Sequence, residues 1–190
     1  MQELKDRILS EGQNLGDGIL KIDSLLNHQI DSGLLGRCGQ EIATIFKDAK
    51  VDRILTAEVS GIVPALATGI ALNVPVVYAR KVKPITMYGP IFLETAPSHT
   101  KGMDVNLMVS AEFMPPNQNI LIVDDFLASG RTIRALVRIV RGAKCNCVGV
   151  ACVVEKVFEG GRKLVEHYGL PIISLATIVS MDDGKIVFSE

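Results

Sequence analysis

Residues Ile120 to Thr132 read ILIVDDFLASGRT, and this stretch decides the fold. The aliphatic run Ile120–Val123 leads straight into two adjacent carboxylates, Asp124 and Asp125. Ala128, Ser129 and Gly130 follow, and a helical pattern begins at Arg131. A continuous Ile/Leu/Val run of this kind reads as a strand buried on both faces, as in a parallel sheet. Ligands of open α/β sheets sit at the carboxyl ends of the strands. Acids placed there, next to small residues that open a helix, suit a polyol or metal on one side and a phosphate on the other. The combination points to a sugar phosphate.

Working outward, strands and helices alternate. Leu4 to Leu9 reads as a short amphipathic helix, and Ile19 to Ile30 shows no clean period. A helix is expected after Asp31 or Ser32, either of which can cap it, running to about Lys47. Arg53 to Ala57 reads as a strand, followed by the glycine-containing turn Glu58-Val59-Ser60-Gly61. Pro64 suits the first turn of the next helix, and Val74 to Ala79 returns as a strand. Lys81 to about Asn106 is weakly patterned, as expected of a lid, a binding loop or a projecting hairpin. Beyond the opening motif, Arg131–Arg141 reads as helix, Cys147–Val154 as strand, Gly161–Tyr168 as helix and Pro171–Val179 as strand. This order implies an α/β fold, a parallel sheet covered on both faces.

At 190 residues the chain fits one domain that buries roughly 70% of its unfolded surface. A net charge of −1, no basic block and no Trp argue against nucleic acid as a partner. Val59 to Ala79 has 21 residues without a charge, about the length that spans a bilayer. Pro64 and Pro75 break it, so it reads as loop, helix and strand, with no membrane partner expected. The N-terminus lacks the apolar core of a signal peptide, so a cytoplasmic location is expected. Cys38, Cys145, Cys147 and Cys152 show no zinc-finger spacing and read as free thiols, and no protein metal site is expected.

The turn Ala128–Thr132 is a natural phosphate cradle. Amides at a helix start lack partners and carry partial positive charge. Gly130 permits close backbone approach, while Ser129 and Thr132 add hydroxyl donors. The helix end alone contributes only ~0.3–1 kcal/mol, so direct hydrogen bonds must dominate. No Gly-Lys-Ser/Thr follows, which excludes a Walker A loop.

The stretch around the acids resembles the signature of the type I phosphoribosyltransferases, which bind 5-phosphoribosyl 1-diphosphate (PRPP). The resemblance implies that Asp124 and Asp125 hold the ribose hydroxyls, with the largest effect on rate, and that Ala128, Ser129, Gly130, Arg131 and Thr132 hold the 5′-phosphate. Arg131 stands where many members carry Gly. Ser60 and Gly61 resemble the family's diphosphate-binding turn, and Arg80 and Lys81 its basic pair. The family fold is a mostly parallel twisted sheet with helices on both faces. It adds a small hood, here expected within residues 1–30, and a mobile loop, here 81–106.

Along nearly the whole chain the pattern is similar to the branch of that family acting on xanthine. Leu26-Asn27-His28-Gln29-Ile30-Asp31, Ser60-Gly61-Ile62-Val63-Pro64-Ala65, Thr100-Lys101 and Val154-Glu155-Lys156 carry that likeness. It implies base contacts at Leu20, Asn27 and Lys156. Xanthine presents carbonyl acceptors at C2 and C6, and Asn27 and Lys156 are donors. It further implies xanthine and PRPP as substrates, a homodimer, and Mg²⁺ bound mainly through PRPP or diphosphate. Guanine/hypoxanthine or adenine transfer stays open on the general motif. A non-catalytic PRPP-sensing regulator would need a basic DNA-binding module that this chain lacks.

Overall fold

The computed structural model describes residues 1–97 and 104–189. Its centre is a six-stranded sheet built from β3 (Arg53–Ala57), β4 (Val76–Ala79), β7 (Asn119–Leu127), β8 (Asn146–Lys156), β9 (Ile172–Ser180) and β10 (Val187–Phe188). The spatial order is β10-β9-β8-β7-β3-β4. All neighbours run parallel except β10, which pairs antiparallel with β9 at one edge. Two antiparallel pairs lie outside this sheet: β1 (Gln13–Asn14) with β2 (Leu20–Lys21), and β5 (Ile91–Pro97) with β6 (Asp104–Ser110). The second pair occupies much of the weakly patterned segment 81–106. Residues 98–103, including His99, Thr100 and Lys101, lie outside the described residues.

The central strands are fully buried because both faces are covered. Leu121, Val123, Ala151 and Val153 face one core, which they share with α1 (Gln2–Glu11), α2 (Ser32–Ile45) and α3 (Ile62–Leu72). Ile120, Ile122, Val150 and Cys152 face the other, shared with α4 (Arg131–Gly142), α5 (Gly161–Glu166) and the β5–β6 pair. Period-two alternation thus sorts the aliphatics of β7 and β8 between two cores. Of the two capping residues read from the sequence, Asp31 is the one used: its carboxylate accepts from the Leu34 amide at 2.9 Å. At Gly39, Ala67 lies 2.5 Å from where a Cβ would stand, so glycine lets α2 and α3 approach closely.

The strand over Val74–Ala79 begins at Val76, because the Val74 amide closes the end of α3 on the Gly69 carbonyl. Residues Asp23–Asn27 form a π-helical turn. Among the described residues no helix is long and apolar enough to cross a membrane.

Candidate active site

The acid pair is not at the end of its strand. β7 continues through Asp124 and Asp125 to Leu127, because β8 pairs with it as far as Leu127–Glu155. On the other side, pairing with β3 stops at Leu55–Ile122. Past that point β3 and β7 part, and the turn 58–61 enters the space beside Asp124. Gly61 makes this approach possible. A Cβ there would lie 2.3 Å from Asp124 Oδ1 and 2.4 Å from Thr56 Oγ1. Gly61 has an ordinary helical φ of −64°, so the requirement is for space and not for backbone freedom. The Glu58–Val59 peptide in this turn is cis.

A cavity of about 860 Å³ opens at this carboxyl end of the sheet. Leu20, Ser60, Lys81, Asp124, Asp125, the whole turn Ala128–Thr132 and Lys156 line it. Three residues singled out from the sequence are placed differently. Gly61 lies behind the wall, against Asp124. Arg80 points to a separate cavity beside the edge strand β4. Asn27 is exposed at the end of the π-helical turn and does not line the cavity. Arg80 still acts on the wall: its Nε lies 2.7 Å from Glu58 Oε2, while Glu58 Oε1 accepts the Lys81 amide at 2.6 Å. Glu58 therefore ties the turn to the basic pair.

The phosphate-type turn has the expected geometry. Gly130 adopts the left-handed conformation (φ 73°) and caps α4, whose first amides face the cavity end of the helix. Gly130 is also confined by Gly161, whose carbonyl oxygen lies 2.5 Å from where a Cβ would stand. The Arg131 side chain is exposed.

Lys156, the last residue of β8, reaches across the cavity to the N-terminal segment. Its Nζ donates to the Gly18 carbonyl at 3.0 Å, pairs with Glu159, and lies 5.9 Å from the centre of the Phe126 ring. Phe126 and Phe158 provide aromatic walls beside it. Sequence reading gave no site role to either ring, to Glu159 or to the Asp17–Ile19 segment, and took Glu58 only as part of the turn Glu58-Val59-Ser60-Gly61. Phe126 directly follows Asp125 on β7 and Phe158 stands two residues past Lys156, and this adjacency was the available signal.

Burial decides the electrostatics. Asp124 is 5% exposed, and burial pushes its carboxyl well above the ordinary carboxylate range, with repulsion from Asp125 adding to the shift. Lys81 acts in the opposite direction. Asp124 Oδ1 accepts the Asp125 amide at 3.1 Å, which holds the carboxyl in place. Buried carboxyls with raised pKa values in a cleft are the groups that functional sites exploit. Cys152, level with Asp124 on the next strand, is a buried thiol also pushed well above its usual range. All four cysteines are free.

A phosphoribosyl transferase domain model matches residues 28–182. The xanthine phosphoribosyltransferase of Leuconostoc mesenteroides is 43% identical over 188 residues, covering 99% of this chain and 100% of that protein. That of Deinococcus deserti is 45% identical over 190 residues, covering 100% and 98%. Among solved structures, the adenine phosphoribosyltransferase of Rhodothermus marinus superposes with a TM-score of 0.74 at 21% identity, covering 94% of this chain and 100% of that one. The enzyme of Trypanosoma brucei, in complex with AMP, pyrophosphate and ribose-5-phosphate, gives 0.75 at 16% identity over 92% and 79%. At such identities the two structures report the fold alone. By its matched domain and its full-length relatives, the chain belongs to the phosphoribosyltransferase family.

Proposed function

We propose that this protein transfers the 5-phosphoribosyl group of PRPP to N9 of xanthine, giving xanthosine 5′-monophosphate and diphosphate. One observation carries the reading. A single cavity is lined by a carboxyl pair of which Asp124 is buried, a helix-opening phosphate turn, a basic residue beside a second turn, and a lysine beside the Phe126 ring. Relatives more than 40% identical over their full length bear the same activity in their names.

The roles follow from chemistry. The amides of Ala128–Thr132, with the Ser129 and Thr132 hydroxyls, receive the 5′-phosphate. Asp124 and Asp125 accept the ribose 2′ and 3′ hydroxyls. Ser60 and Lys81 face the diphosphate, with Gly61 and Arg80 supporting that turn from behind. N9 forms its bond to C1 as the C1–O bond to diphosphate breaks, and the N9 proton leaves to solvent. Positive charge grows on the ribose in between. It draws Asp124 toward its ionised form, so the carboxylate attracts the transition state more than the ground state. Positioning and electrostatics then supply the acceleration, without a covalent intermediate.

Lys156 contacts the base. With one donor on Gly18 and the ion pair to Glu159, its remaining N–H suits the C6 carbonyl of xanthine. Adenine, with an amine at C6, would meet it donor to donor, a mismatch that can cost orders of magnitude. Leu20 and the rings of Phe126 and Phe158 supply apolar contact. Asn27, exposed at the end of the Asp23–Asn27 turn, is a further donor for the base in this reading. The part of the segment 81–106 preceding β5, residues 81–90, closes over the reacting centre from Lys81 at the cavity rim and excludes water.

Mg²⁺ fits this site as a partner of the substrate. Among the described residues no cluster of three or more His, Cys, Asp or Glu could cage a metal. An ion bound mainly by the diphosphate and by water would neutralise the leaving group. A homodimer is part of the proposal. Leu66 and Ile70 of α3 are 52% and 73% exposed and line an apolar groove with α2, a face suited to a second copy of the chain. The free thiols, all but Cys147 buried, support a reducing, cytoplasmic setting.

The test is PRPP-dependent diphosphate release with xanthine, guanine, hypoxanthine and adenine in parallel. Xanthine is expected to give the highest kcat/KM. Failure to turn over any of the four bases would sink the enzymatic reading, and preference for adenine would sink the xanthine assignment.

A further inference from the structure

β8 ends in two consecutive residues that serve different sides of the sheet. Lys156 enters the cavity, whereas Glu155 turns away from it and is completely buried. Glu155 is held by a fork from Arg162, with Nε to Oε1 at 2.7 Å and Nη2 to Oε2 at 2.5 Å. The Ser174 hydroxyl donates to Oε2 at 2.7 Å, and Arg162 Nη1 donates to the Ile172 carbonyl at 3.1 Å. Three neighbouring pieces of chain, the end of β8, the start of α5 and β9, are thus locked together by one carboxylate. The Arg162 side chain is 35% exposed while Glu155 is buried, so Arg162 serves chiefly to keep a buried carboxylate paired. Replacing both charges by apolar residues is often neutral or stabilising.

The other end of this lock touches the phosphate turn. Gly161, adjacent to Arg162, donates its amide to the Ala128 carbonyl at 2.9 Å. A Cβ on Gly161 would stand 2.2 Å from that carbonyl oxygen and 2.5 Å from the Gly130 amide nitrogen. Backbone rests on backbone, with no side chain between to absorb a shift. Displacement of α5 would therefore move the turn itself.

We propose that Glu155, Arg162 and Ser174 form a positioning clamp that holds α5 against the 128–132 turn and sets its affinity for the 5′-phosphate. None of the three lines the cavity; they act through Gly161 on the turn. The proposal rests on the reading that this turn binds the 5′-phosphate of PRPP and of the nucleotide product.

The clamp is tested by calorimetric binding of xanthosine 5′-monophosphate, which carries the 5′-phosphate alone, and of inorganic diphosphate, which occupies the opposite turn. Arg162→Lys keeps the charge but loses the fork. It is expected to weaken nucleotide binding about tenfold and to leave diphosphate binding within twofold. The pair Glu155→Met/Arg162→Met removes both charges without orphaning either. A folded Met pair is expected to show the same selective loss even where its Tm equals the wild type. Unchanged nucleotide affinity in folded Arg162→Lys overturns the clamp, as does an equal loss for both ligands, which would mark general distortion. Wild-type protein that binds diphosphate but not the nucleotide would overturn the phosphate-turn reading itself, and the clamp with it.

Discussion

Gly61→Ala is the sharpest probe of the site, because its consequence comes from contact distances. The new methyl would stand 2.3 Å from Asp124 Oδ1, 2.4 Å from Thr56 Oγ1 and 3.0 Å from the Ala57 carbonyl oxygen. Ordinary contact begins near 3.4 Å, so turn and carboxylate must part by about 1 Å. Asp124 and Thr56 are both buried, and neither can swing into solvent. Overpacking of this kind costs about 1–3 kcal/mol. For a chain of this size that corresponds to a fall in Tm of roughly 2–12 °C. The same displacement separates the proposed diphosphate turn from the carboxylate proposed to hold the ribose, and a misplacement of ~1 Å can cost ~10²-fold in rate. Steady-state diphosphate release, with calorimetric melting alongside, is the assay. kcat/KM for PRPP is expected to fall about a hundredfold, with KM for xanthine little changed. Wild-type kcat/KM for PRPP and wild-type Tm together would refute the close packing of Gly61 on Asp124.

Lys156→Ala is expected to raise KM for xanthine by at least ~tenfold, the value of one charge-assisted hydrogen bond, and to move KM for PRPP far less; equal effects would remove Lys156 from the base site. Asp124→Asn should abolish turnover yet raise Tm at neutral pH. The folded-state pKa of Asp124 lies above its unfolded value, so stability is complete below about pH 4 and is lost as pH rises toward the folded pKa. Melting curves across pH should therefore be flatter for the variant than for the wild type, and parallel curves would contradict the raised pKa. Burial pushes the Cys38 thiol up to about 12 and the Cys147 thiol to about 11. Both are expected to resist iodoacetamide at pH 7.5 in the folded protein and to react on unfolding, as mass spectrometry would record. Ile70→Asp is expected to yield a monomer in sedimentation velocity, whereas an unchanged oligomer would move the interface off α3.

Much of this was legible along the chain. The aliphatic run Ile120–Val123 marks a strand covered on both faces, because its shortness and the alternating strand–helix pattern around it suit a central parallel strand. Arg53–Ala57 was readable to the residue, and the α4 boundary to within one. For the segment 81–106 a projecting hairpin was one of three readings, and the antiparallel β5–β6 pair agrees with it. Its strands were not readable, since Leu93 faces out and Glu94 in, against the usual alternation. The extension of β7 past the acids was equally hidden, because the length of its neighbour β8 determines it.

The residue types in order, acids, small turn and helix start, determined the reaction class, because ribose hydroxyls and phosphate need those groups in that local arrangement. Tertiary structure decided which residues share a cavity. It put Lys156 against Gly18 and Gly61 behind Asp124, left Asn27 outside and turned Arg80 away. Separations of that kind are set by how strands splay and where backbones touch. Those quantities depend on packing between distant segments, which local sequence pattern does not encode.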